Sequence, residues 1–93
     1  MSNIDKKFEK IGFIKVRENE FGVSYEREDI GYGYTQTLDI VRKASGRHIV
    51  QSYDKDLFDT KFIGNTCVGL TYYEMKLVLK KMKKLGYHKG KRC

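Results

Sequence analysis

Apolar residues recur every three or four positions at both ends of the 93-residue chain and every second position between them. That change of period restricts the fold more than any other feature. A 3.6-residue repeat describes a helix with one buried face, and a two-residue repeat describes a strand with one buried face. At the C-terminal end, Met75, Val78, Leu79, Met82 and Leu85 form the helical stripe. Thr71 and Glu74 have the T-x-x-E spacing of a capping box, and Leu70 with Met75 has the spacing of a hydrophobic staple. Gly86 supplies the left-handed residue that stops the helix, and Tyr87 follows where a Schellman contact back to Met82 is made. A helix over 71–85 is predicted. Ile4, Phe8 and Ile11 predict a shorter N-terminal helix, capped by Ser2 or Asn3 and closed by Gly12 before Phe13.

In the middle of the chain, Ile14 and Val16 alternate with Lys15 and Arg17, and Phe21, Val23 and Tyr25 alternate with Gly22, Ser24 and Glu26. Glu18-Asn19-Glu20 reads as the hairpin turn between them, because Asn tolerates positive φ. A third strand is expected from about Tyr32 to Val41, with Tyr34, Leu38 and Ile40 on one face and Thr35, Thr37 and Asp39 on the other. Ala44-Ser45-Gly46 then turns the chain into a fourth strand at about Arg47 to Tyr53. Residues 54–70 carry weaker signals: Phe62-Ile63 suits a short edge strand, and Gly64, Asn65 and Gly69 mark loops. The expected architecture is a single α+β domain over 1–93 in α-β-β-β-β-α order. An antiparallel sheet of about four strands is covered on one face by the long C-terminal helix, with a short N-terminal helix.

Charge is distributed unevenly. The net charge is +7, from 19 Lys+Arg and 12 Asp+Glu. From Glu74 onward stand Lys76, Lys80, Lys81, Lys83, Lys84, Lys89, Lys91 and Arg92, with Glu74 the only acid, and residues 1–73 balance. The whole excess therefore lies in the C-terminal helix and the basic tail 87–93, which points to a negatively charged partner. Tyr73 and Leu77 form an i, i+4 pair among these lysines, opposite the stripe centred near Met82. They are the expected apolar anchors of a binding surface.

Other functions find little support in the sequence. His48 and His88 are the only histidines, and nothing brings either to Cys67 as a nucleophile–base pair, so no enzyme is expected. Cysteine and histidine spacings match no zinc site, and Asp54, Asp56 and Asp59 are interrupted by Leu57 and Phe58 and lack the closing Glu of a calcium loop, so no metal is expected. Gly31-Tyr32-Gly33 opens no helix and resembles no nucleotide fingerprint, so no cofactor is expected. Tyr25 and Tyr34 share faces with Val23 and Leu38. That predicts burial and argues against base stacking by these residues together with Tyr32 and Tyr53. No apolar run approaches the roughly 18 residues of a membrane span, and the start has no secretory signal. Cys67 and Cys93 fit free thiols in a reducing cytoplasm. An exposed strand edge leaves monomer or homodimer as the expected state.

Two stretches, F-E-K-I-G-F near the start and G-L-T-Y-Y-E-M-K-L-V-L-K-K-M-K-K-L-G-Y near the end, flank a Tyr-rich middle. Together they resemble small proteins of unassigned role encoded by phages and prophages of Gram-positive bacteria. The resemblance implies a bacterial host cytoplasm and a non-enzymatic binder of a host protein or nucleoprotein complex, anti-CRISPR-type inhibitors included. It assigns no site residues. Many inhibitors of that type are acidic nucleic-acid mimics, a pattern from which this basic chain departs. The order of elements is also analogous to the double-stranded RNA-binding domain, at the level of topology only. The function expected is docking on a host complex through the basic C-terminal helix. The alternative is sequence-tolerant nucleic-acid binding by the same helix and the tail.

Overall fold

The computed structural model describes residues 3–29, 33–55 and 67–87. Helix α1 (Asn3–Lys10) leads into strands β1 (Ile14–Asn19), β2 (Gly22–Asp29), β3 (Tyr34–Val41) and β4 (Ile49–Asp54), and helix α2 (Tyr72–Lys84) follows. The strands form one antiparallel sheet in the order β1-β2-β3-β4. The α+β class and the element order read from the sequence are those of the protein.

Both helices lie on one face of the sheet. Val23 and Tyr25 of β2 and Leu38 and Ile40 of β3 share a buried core with Phe8, Phe13, Leu77 and Val78. Phe8 stacks on Tyr25 at 4.2 Å between ring centroids and meets Phe13 edge-on at 6.0 Å. Tyr34, expected on this face, is half-buried, while Gln36 between it and Leu38 is buried. Gln36 is satisfied there: its Nε2 donates to Ser52 Oγ at 2.8 Å, and its Oε1 accepts from Arg27.

The first hairpin turns one residue later than expected. Asn19 pairs with Gly22, so the turn residues are Glu20 and Phe21, and Phe21 is exposed at the tip instead of extending the apolar face of β2. The Asn19 side chain accepts the Phe21 amide, an Asx contact that fixes the turn. Gly22 has φ +138°, and a Cβ there would lie 2.0 Å from the Ile40 carbonyl oxygen. Only glycine lets β2 start this close to β3.

A β-bulge between Lys15 and Arg17 changes which side of the sheet β1 offers. Lys15 pairs with Tyr25 and Glu18 with Val23, so both charged side chains belong to the helix side. Ile14 and Val16 are left exposed on the open side. The bulge breaks the expected alternation of Ile14 and Val16 with Lys15 and Arg17: Arg17, paired with Ser24, lies on the open side with the apolar pair, which faces away from the core.

Beyond β3, the amide of Lys43 donates to His48 Nδ1, and the His48 ring lies 4.5 Å from that of Tyr87. His48 thus holds a turn and packs against the end of α2. Beyond β4, the Val68 amide donates to the Ser52 carbonyl and Cys67 bridges to Tyr53, so part of the outer edge of β4 is occupied. Phe62-Ile63, Gly31, Tyr32, Asp56, Asp59, His88 and the Ser2 cap lie outside the described residues. No helix among the described residues is long and apolar enough to cross a membrane.

Gly22→Ala is expected to lower unfolding stability by about 3 kcal/mol, combining a left-handed backbone with a backbone clash. Urea denaturation monitored by circular dichroism measures it. A loss below about 1 kcal/mol would show that the hairpin relaxes freely at this point.

Candidate functional site

Helix α2 is built at its ends as its sequence specifies. The Thr71 hydroxyl accepts the Glu74 amide at 3.1 Å, and Glu74 Oε1 accepts the Thr71 amide at 2.9 Å. Gly86, at φ +84°, donates its amide to the Lys83 carbonyl and ends the helix. Leu70 packs against the core, but Met75, its expected staple partner, is 45% exposed.

Between those ends, the helix is rotated from the expected orientation. Its buried residues are Glu74, Leu77, Val78 and Lys81, with Met82 and Leu85 packed at the margin. This is a regular stripe, but its centre lies roughly 60° from that of Met75, Val78, Leu79, Met82 and Leu85. Two members of the candidate binding surface are therefore corrected. Leu77 is 1% exposed and belongs to the core, where burial contributes about 1.5–3 kcal/mol. Lys81 is 2% exposed and is a structural ion, not part of the lysine field.

The cause is electrostatic. Lys81 Nζ lies 3.1 Å from Asp5 Oδ1 on α1 and 3.1 Å from Glu18 Oε1 on β1. Lys15 Nζ bridges the same two carboxylates at 3.0 Å each, and the Tyr25 hydroxyl donates to Asp5 Oδ1 at 2.7 Å. Seven residues earlier, Glu74 Oε2 lies 2.9 Å from Arg27 Nη1. The Arg27 guanidinium also donates to the Ile11 carbonyl and to Gln36, and sits 4.2 Å above the Phe13 ring. A buried charge is retained only when such partners replace its water. These partners draw Glu74 and Lys81 inward and turn Met75 and Leu79 out.

Titration follows from the same contacts. Burial opposes ionisation of Asp5, but the hydrogen bonds from Tyr25, Lys15 and Lys81 outweigh it and hold its carboxyl below 3.8. The hydrogen bond from Lys15, helped by Lys81, holds Glu18 below 4.5 against its burial. Glu18 and then Asp5 raise Lys15 above 10.5. Burial, and after it the Asp5 carboxylate, raises the Tyr25 phenol.

The outward half of α2 is the candidate site. Lys76, Lys80, Lys83 and Lys84 are exposed. Beside them lie Tyr72, 74% exposed, Leu79, 65%, Tyr73, 49%, and Met75. Lys76 Nζ reaches within 5.4 Å of the Tyr72 ring centroid. Tyr72, Met75 and Leu79 form a continuous strip at i, i+3 and i+7, and the lysines form a second strip next to it. Tyr73 is exposed, as the binding surface requires. Periodicity alone assigns Met75 and Leu79 to the core and gives Tyr72 no face, so this apolar strip is not visible in the sequence pattern. Lys89, Lys91 and Arg92 lie outside the described residues.

The other side of the sheet carries a polar chain across its strands. Arg17 Nη2 donates to Ser24 Oγ, Ser24 Oγ to Asp39 Oδ1, and the Tyr53 hydroxyl to Asp39 Oδ2, a chain of side chains crossing all four strands. Among the described residues, no group of three or more His, Cys, Asp or Glu is placed to hold a metal ion. The chain matches no protein-family model, no curated protein and no solved structure.

Two outcomes follow for stability. Lys81→Ala is expected to cost about 2–4 kcal/mol, whereas the neighbouring Lys80→Ala should stay within about 0.5 kcal/mol, both read by urea denaturation. Asp5 and Glu18 take up protons in the unfolded chain at higher pH than in the fold. Their contribution is therefore complete above 4.5 and is lost as pH falls through their lowered values. The melting temperature should hold from pH 7 to about 5 and fall below that, with a shallower fall in Asp5→Asn.

Proposed function

We propose that this protein is a non-enzymatic binding module that docks on an acidic surface of a partner protein through the outward face of α2. The observation that carries this reading is the pair of adjacent strips on that face: exposed Tyr72, Met75 and Leu79 beside Lys76, Lys80, Lys83 and Lys84. Apolar and aromatic side chains supply the desolvated centre of protein interfaces, while flanking charge steers approach and sets register. A surface built only for phosphates has no use for an exposed Leu and Met, since nucleic-acid contacts are dominated by charge and hydrogen bonds. Tyr73, Lys80 and Lys84 extend the lysine side of the face. The resemblance of the chain ends to phage and prophage proteins supports looking for that partner among bacterial host complexes, including those that inhibitors of host defence target.

The test is capture from a bacterial lysate, with and without nuclease, by the native protein and by a Lys76→Glu, Lys80→Glu, Lys83→Glu, Lys84→Glu variant. The expected result is a protein retained after nuclease treatment and lost with the variant, whose circular dichroism and melting temperature stay within a few degrees of the parent. Capture that vanishes with nuclease assigns the helix to nucleic acid instead, with a log–log salt slope of about −0.9 per phosphate contacted on duplex DNA. Capture that survives the four substitutions rejects this face altogether.

A further inference from the structure

The open side of the sheet holds a shallow groove of about 510 Å³ lined by Gly12, Ile14, Val16, Glu26, Glu28 and Thr35. Its composition is the counterpart of the outward face of α2. Ile14 and Val16 form an exposed apolar row on β1, and Glu26 and Glu28 form a row of carboxylates on β2 beside it, with Ile14 directly opposite Glu26. On α2, the apolar row Tyr72, Met75 and Leu79 lies beside the row of lysines. The spacings agree as well. Lys76 and Lys80 are about 6 Å apart along a helix. Glu26 and Glu28 are about 7 Å apart along a strand. The one cation reaching the acidic row among the described residues is Lys55, whose Nζ is 3.3 Å from Glu26 Oε2 in a partly solvated ion pair of modest worth.

We propose that a second copy of this chain seats the outward face of its α2 in this groove, Tyr72, Met75 and Leu79 against Ile14 and Val16, and Lys76 and Lys80 against Glu26 and Glu28. The two surfaces lie on opposite sides of the molecule, since the helices cover one face of the sheet and the groove opens on the other. The contact is therefore heterologous: each copy offers one unused helix and one unused groove, and association runs head to tail. The inference goes beyond the proposed function but uses the same helix face, so self-docking and partner binding exclude one another on any one helix.

The experiment is sedimentation velocity at low ionic strength, up to about 1 mM, the range proper to an interface under about 1,200 Å². The weight-average sedimentation coefficient of the native protein is expected to rise with concentration and to return to the monomer value in about 0.5 M salt. Glu26→Lys, Glu28→Lys and, separately, Lys76→Glu, Lys80→Glu should each be monomeric throughout, with circular dichroism unchanged. The lysine variant is decisive because it lowers the net positive charge and so weakens general repulsion between copies. An equimolar mixture of the two variants should associate again. A native protein that stays monomeric, a lysine variant that associates as much as the native chain, or a folded pair of variants that fails to associate when mixed overturns the proposal. Glu26→Lys, Glu28→Lys leaves α2 untouched and should still capture an acidic partner. Loss of self-docking is thereby separated from loss of the proposed function.

Discussion

The placement of the Lys81 ammonium between Asp5 and Glu18 decides what this molecule presents to its surroundings. An ammonium stripped of water costs several kcal/mol unless carboxylates replace that water, so the site exists only when α1, β1 and α2 are assembled together. Arg27 and Glu74 make the equivalent contact seven residues up the helix, about 10 Å away. Pinned at two points, α2 has no freedom to rotate about its axis. Leu77 and Val78 fill the space between the pins, and everything on the far side of the helix, from Tyr72 to Lys84, takes its direction from them.

The architecture was largely legible in the sequence, and the reasons are local. Thr71, Glu74 and Gly86 mark the ends of α2 through short-range hydrogen bonds that need no tertiary information. Val23, Tyr25, Leu38 and Ile40 announce two strand faces by period alone. The rotation of α2 was not legible. Periodicity counts a lysine as a surface residue and a methionine as a core residue. Here Lys81 is buried by carboxylates 63 and 76 residues away, and Met75 is displaced by Glu74. The side of the sheet taken by Ile14 and Val16 was hidden for a similar reason. A bulge near Val16 leaves no mark in the pattern, yet it decides which neighbours face the helices. The consequence for the candidate surface is one of exposure: Lys76, Lys80, Lys83, Lys84 and Tyr73 are exposed, Leu77 and Lys81 are buried, and Tyr72, Met75 and Leu79 are exposed in their stead.

The same arrangement makes the molecule two-sided. Its ion pairs are concentrated under α2, where they orient, and its open sheet face is held by the Arg17–Ser24–Asp39–Tyr53 chain, which ties strand to strand without covering them. Apolar surface remains on both sides, next to lysines on one and carboxylates on the other. Exposed apolar side chains set beside charge of one sign are a common mark of interaction surfaces, and isolated ones are not.

The pairing of Cys67 with Tyr53, and of the Val68 amide with the Ser52 carbonyl, has a different kind of consequence. The chain leaves the sheet after Asp54 and is gripped again at the same strand before entering α2. The second grip comes three residues before the Thr71 cap, so the start of α2 is tethered to β4 by main chain. A load applied to the far end of α2 would therefore reach the sheet through that backbone hydrogen bond as well as through the buried ion pairs.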